Sequence, residues 1–191
     1  VIDNIGSLIT NDPALGRGPL GIVEHASVVI DNDVVVEVGP AGALADRRID
    51  AEGACVLPGF VDSHSHLVFA GDRAEEFTAR MAGKPYDGGG IQVTTDATRA
   101  TPTPALDALV RNRLAEAHRA GTTTIEIKSG YGLTVDDEAR SVDIARAHTP
   151  EATFLGAHLL PREFAGRADD YIDLVCNDML CRVAGTAKWV D

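Results

Sequence analysis

Two histidines set two residues apart, His64 and His66, are the pair best placed for chemistry in this sequence. Alternate side chains of a β-strand share a face, so both imidazoles, with Asp62 beside them, project the same way. That suits two nitrogen ligands of one transition metal, each about 2.0–2.1 Å from the ion. Spacing alone leaves a plainer reading open, a chance pair on a strand. Arg73 lies seven residues beyond His66. It reads either as a solvated, salt-bridged arginine or as a bidentate donor for an anionic substrate. Tyr131 stands between Gly130 and Gly132. It is either an amphipathic packing residue or a ligand contact, with glycines that let the backbone come close. His158 ends a β-rich run, as a core histidine satisfied by a carbonyl or as a site residue. Glu126 and Lys128 alternate with Ile125 and Ile127 and share a face, so a buried ion pair and a catalytic role both remain open.

The elements that must position these residues alternate between strand and helix. Residues 26–30 and 34–38 flank Asp31-Asn32-Asp33 and predict a hairpin. Residues 104–120 predict a helix with Thr103 at the N-cap, Pro104 at the first position and Gly121 after the end. Leu106, Val110, Leu114 and Ala117 supply its apolar stripe. Thr122–Lys128 is a β-branched strand, followed by a tight loop at Ser129-Gly130-Tyr131-Gly132. Thr134 then caps a helix to about His148, with Asp137 completing a capping box. A strand over Ala152–His158, a helix over Asp169–Cys181 and a strand opening at Lys188-Trp189-Val190 complete the series. Repeated strand–helix order means parallel strands with right-handed crossovers. A doubly wound sheet and a (β/α)₈ barrel both satisfy it. The candidate residues at successive strand ends favour the barrel, of which four strands make half. The expected fold is therefore α/β, with the first half of a TIM-type barrel over residues 56–191. Half a barrel has open edges, so this stretch alone is expected to be neither stably folded nor active.

Composition narrows the function classes. The net charge is −12, from 17 Lys+Arg against 29 Asp+Glu, which argues against nucleic-acid binding. An anionic substrate must then be met by locally placed cations. Cys55, Cys176 and Cys181 form no CxxC pair and point to a reducing, cytoplasmic setting. Cys176 and Cys181, five apart on a helix, are expected to be packing residues. No apolar run reaches membrane-span length, so no membrane partner is expected. His25, His118 and His148 carry no motif.

The string Pro58-Gly59-Phe60-Val61-Asp62-Ser63-His64-Ser65-His66 resembles the first-strand signature of the amidohydrolase superfamily, Pro-Gly-x-x-Asp-x-His-x-His. Three further fixed positions, Pro58, Gly59 and Asp62, make that a strong motif. The resemblance implies that residues 1–55 are part of a small β-sandwich domain. Within the superfamily the chain is most similar to the imidazolonepropionase family. That likeness rests on His66–Arg73 with Glu75-Glu76-Phe77, Gly88-Gly89-Gly90-Ile91, Gly121–Leu133 and Thr153–His158. It is weakest over Cys181–Ala187, where the family usually carries a proline. The resemblance implies metal-dependent hydrolysis of 4-imidazolone-5-propanoate to N-formimidoyl-L-glutamate in histidine degradation. It implies one Zn²⁺ or Fe ion held by His64 and His66, which activates water. Arg73, Tyr131 and His158 would bind the small anionic substrate. The family draws a third histidine, an aspartate and a proton-transfer group from later strands, so no catalytic residue is expected within residues 1–191. A homodimer is left open. Two alternatives stand: another amidohydrolase, such as a deaminase or cyclic-ureide hydrolase, and an inactive metal-binding fragment.

Overall fold

The computed structural model describes residues 1–40, 45–83 and 89–191. It divides into two units, Val1–Gly59 and Phe60–Asp191.

The first unit is one mixed sheet of five strands: β1 (Ile2–Ile9), β2 (Ile22–Asp31), β3 (Val34–Gly39), β4 (Ile49–Asp50) and β5 (Cys55–Val56). Their order is β3-β2-β1-β4, with β5 also pairing β1. β1, β2 and β3 run antiparallel, while β4 and β5 lie parallel to β1. The β2–β3 hairpin turns through Asn32 and Asp33, at φ 48° and 64°. Two consecutive positive φ angles define the type I′ turn whose twist matches the flanking strands, and Asn and Asp tolerate it best after glycine. Ile5, Leu8, Ala26 and Val28 form the buried face.

In the second unit, β6 (Phe60–Ser65), β7 (Thr122–Lys128), β8 (Ala152–Phe154) and β9 (Trp189–Val190) form a parallel sheet in that order. Helices α1 (Ala74–Met81), α2 (Gly89–Ala100), α3 (Thr103–Arg119) and α4 (Val135–His148) connect the first three strands. Between β8 and β9 lie α5 (Ala168–Leu174), a π-helical turn (Val175–Met179) and α6 (Leu180–Val183). Strand and helix therefore alternate in a mixed α/β unit. One apolar core joins Ile125 and Ile127 of β7 to Leu106 and Val110 of α3 and to Ile144 of α4. A second gathers Leu133, Val142, Phe154, Tyr171, Met179 and Val183. No helix among the described residues is long and apolar enough to cross a membrane.

Several expectations are corrected. Pro102, not Thr103, caps α3: its extended backbone leads in, and its carbonyl accepts from Ala105 and Leu106 N–H at 3.0 and 3.1 Å. Leu106 and Val110 are fully buried as the stripe requires, with Leu114 and Ala117 at its margin. Thr134 does cap α4, its hydroxyl accepting from Asp137 N–H at 3.1 Å. β8 stops at Phe154 rather than reaching His158, because Ser129 Oγ takes the Leu155 N–H at 3.0 Å and ends the ladder. Gly88 lies outside the described residues, while Gly89 and Gly90 begin α2. All three cysteines are free and exposed, so Cys176 and Cys181 are not packing residues. They flank the face of the helix that carries Val175, Met179 and Val183 into the core.

Candidate functional site

β6 delivers the histidine pair. Ser65 is buried and its hydroxyl donates to the Glu126 carbonyl at 2.6 Å, which fixes the strand's end against β7. His64 is exposed, and its N–H donates to Asp62 Oδ1 at 3.1 Å, so Asp62 shapes the backbone here. His66 comes directly after the strand and is half-buried. The two imidazoles lie 5.5 Å apart, centroid to centroid, at 62°.

The loops after β7 and β8 bring Tyr131 and His158 to the same place. His158 stacks on His66 at 4.6 Å and 11°. Tyr131 stands 5.4 Å from His66 and 5.2 Å from His158, and Phe69 lies behind it at 6.0 Å. Three parallel strands thus deliver a ring cluster beyond their C-terminal ends, the usual location of chemistry in such sheets. His158 Nδ1 lies 2.9 Å from the Gly130 carbonyl. A carbonyl only accepts, so Nδ1 carries the proton and Nε2 presents a lone pair. Gly130 adopts φ +118°, and a Cβ there would meet the His158 side chain at 2.9 Å. Glycine is therefore required at this position twice over.

Burial pulls the His66 imidazole down from 6.5 to about 4, helped by the neighbouring His158, opposed by the Ser129 backbone and helped less by His64. It is neutral at pH 7, the form that ligates metals. Its Nδ1 is buried without a hydrogen-bond partner. Among the described residues no group of three or more His, Cys, Asp or Glu side chains is arranged to hold a metal ion.

Arg73 precedes α1 and forms a bidentate pair with Glu76, at 2.6 and 2.8 Å. Gly90 and Val93 line the same cleft. Lys128 Nζ bridges Glu126 and Asp191, at 2.9 Å each. Burial works against its charge, but the two carboxylates prevail and raise its pKa. Asp191 is held low first by that hydrogen bond and next by the Lys128 charge.

The sequence reading missed three residues that hold this arrangement. Glu138 of α4 is fully buried, and its carboxylate accepts from the N–H groups of Gly130, Gly132 and Leu133 at 3.0, 2.8 and 2.7 Å. Burial pushes its carboxyl up, opposed by those bonds and by the Ser129 side chain. Arg99 of α2 donates to the Gly132 carbonyl at 2.6 Å. Arg113 of α3 donates to the Leu67 and Phe69 carbonyls at 2.7 Å each and lies 3.5 Å over the Phe69 ring. One signal was available: Glu138, Val142 and Ala145 obey helical spacing, which sets a carboxylate in the core stripe of α4.

An α/β protein with aromatic and imidazole groups gathered at the ends of parallel strands has the layout of a strand-end enzyme site. The fold is shared with a solved structure, atrazine chlorohydrolase TrzN from Arthrobacter aurescens TC1 complexed with zinc. The match has a TM-score of 0.51 at 19% identity, over 92% of this chain and 42% of that one. No protein-family model matches the chain. Among curated proteins it is 63% identical to the imidazolonepropionase of Salinispora tropica over 193 aligned residues, and 55% identical to that of Mycolicibacterium smegmatis. Both alignments cover all of this chain and 49% of the relative, so the chain spans about half the length of the curated relatives it matches. Over its whole length the chain is similar to imidazolonepropionases.

Proposed function

We propose that the protein hydrolyses 4-imidazolone-5-propanoate to N-formimidoyl-L-glutamate in the cytoplasm, and that residues 60–191 form the first half of a (β/α)₈ barrel. Residues 1–59 would then belong to a small β-sandwich. The observation that carries the reading is the stacked His66–His158 pair closed by Tyr131, in a chain matched along its whole length by imidazolonepropionases. Water adds at the ring carbonyl carbon, the ring C–N bond breaks, and the departing nitrogen takes up a proton.

The donor set fits a zinc or iron ion. His66 is neutral at working pH and buried, with an unpartnered nitrogen, and a second imidazole stands 5.5 Å away. His64 and His66 would hold the ion, which supplies Lewis-acid activation of water when bound. The chain's own residues bind and orient. His158 offers Nε2 as an acceptor to a ring N–H, Tyr131 covers one face, and Arg73 meets the propionate carboxylate with its guanidinium fork. That fork is bonded to Glu76 at 2.6 and 2.8 Å, so the substrate would share or displace an existing carboxylate partner.

The test is turnover of imidazolonepropionate together with metal content in the whole protein and in His66→Ala. Wild-type protein should bind one ion per site and turn over, and the variant should lose both. Full turnover by His66→Ala would overturn the reading.

A further inference from the structure

Side chains hold the backbone of the Ser129–Leu133 loop on both of its edges. The Gly130, Gly132 and Leu133 N–H groups all donate to Glu138, at 3.0, 2.8 and 2.7 Å. The Gly132 carbonyl accepts from Arg99, and the Gly130 carbonyl accepts from His158. Glu138 itself has no exposed surface and sits in a helix face that otherwise packs into the core. A buried carboxylate is a poor choice for stability alone, because an apolar residue of similar volume costs no desolvation. What this carboxylate gains is a loop whose peptide planes cannot turn. The Tyr131–Gly132 plane adjoins Tyr131 directly, and the bond to the Gly130 N–H holds the residue whose carbonyl, one peptide plane further on, fixes His158.

We infer that Glu138 is the positioning residue for the ligand-facing wall of this site. Its carboxylate sets the Tyr131 ring and, through Gly130, the orientation and tautomer of His158 over His66. The chain of contacts is continuous: Glu138 Oε2 to Gly130 N–H, Gly130 carbonyl to His158 Nδ1–H, and the His158 ring to His66 at 4.6 Å. The ligand's identity rests on the proposed function. The positioning role stands on these contacts.

Glu138→Gln separates the role from simple packing. The glutamine carbonyl can keep the bonds to Gly132 and Leu133, both made by Oε1, but its amide then faces the Gly130 N–H, donor against donor. The whole protein, labelled with ¹⁵N-histidine, gives the His158 tautomer from two-bond ¹⁵N–¹H correlations, with His158→Ala assigning the signals. Wild-type protein should show His158 protonated at Nδ1, and Glu138→Gln should show the Nε2–H form or exchange between the two, with a cooperative melt retained. The value of kcat/KM for imidazolonepropionate should fall roughly 10–100-fold. In a double-mutant cycle the same substitution on a His158→Ala background should cost far less, because the effect passes through that ring. Glu138→Asp keeps the charge but withdraws it by one methylene, and should move the same readouts in the same direction. An unchanged His158 tautomer, or additive losses in the cycle, would overturn the inference. So would loss of the fold in both variants, which would assign Glu138 to stability. If the wild-type protein turns over no imidazolonepropionate, the proposed function fails while the tautomer measurement still decides the role of Glu138.

Discussion

Replacing Arg113 by methionine removes a guanidinium that ties α3 to the segment leaving the histidine pair. The side chain is half-buried, donates from Nη1 to the Leu67 and Phe69 carbonyls at 2.7 Å each, and covers the Phe69 ring at 3.5 Å. Hydrogen bonds from a charged donor contribute about 1.5–3 kcal/mol each. A cation–π contact adds roughly 0.5–2 kcal/mol. Methionine keeps the apolar stem, so packing is largely conserved. One nitrogen serves both carbonyls and water can reach part of the site, so the low end of each range applies. The expected loss is about 3.5 kcal/mol. With a urea m-value of about 1–3 kcal/mol/M, the midpoint should drop by roughly 1–3.5 M. Arg113→Lys retains a charge but has no planar group to lay over the ring, and should lose about half as much. Urea unfolding followed by circular dichroism measures both. A methionine variant within about 0.5 kcal/mol of wild type would refute the reasoning, placing Arg113 among ordinary surface residues. A lysine variant less stable than the methionine one would refute it equally.

Arg73→Ala should raise KM for imidazolonepropionate with little change in kcat, by about 1.5–3 kcal/mol of lost binding; an unchanged KM would return Arg73 to a structural pairing with Glu76. Thr134→Ala removes the hydroxyl that accepts from Asp137 N–H and should cost about 1 kcal/mol in a thermal or urea melt, with activity retained at low temperature. Metal-free protein should lose stability as pH falls from about 6.5 toward 4, because the unfolded His66 imidazole takes up a proton that the folded one refuses. Melts at pH 7 and pH 5 measure this, and His66→Ala should flatten the difference. An equal drop in that variant would shift the effect to other groups.

Local signals carried most of what could be read without coordinates. The β-branched run Thr122–Lys128 is β7 to the residue, and the Thr134 cap needs only one side chain and one N–H three residues on. Helix α2 escaped because its buried face is made of Thr94, Thr95 and Thr98, which carry no apolar periodicity. Two of those hydroxyls bond back to carbonyls four residues earlier, which lets threonine serve as a core residue. The end of β8 depends on Ser129, 26 residues away from Leu155, and no window along the chain contains that contact. The same holds for the site. Strand-end positions pointed to His66, Tyr131 and His158 one at a time, but the network that fixes them joins residues from α2, α3 and α4. Glu138 was visible only as an oddity in a helical stripe.

The π-helical turn at Val175–Met179 has an evolutionary consequence. Such a turn absorbs one surplus residue without rotating the helix beyond it, so Val175, Met179 and Val183 all remain inward across it. Loss of one exposed residue there, Asn177 for instance, would return the segment to ordinary helix with its downstream phase intact. A deletion inside α4 has no such reserve and would turn Val142 and Ile144 away from their cores by about 100°. Length variation among homologues should therefore be found in the 175–179 turn and be missing from α4.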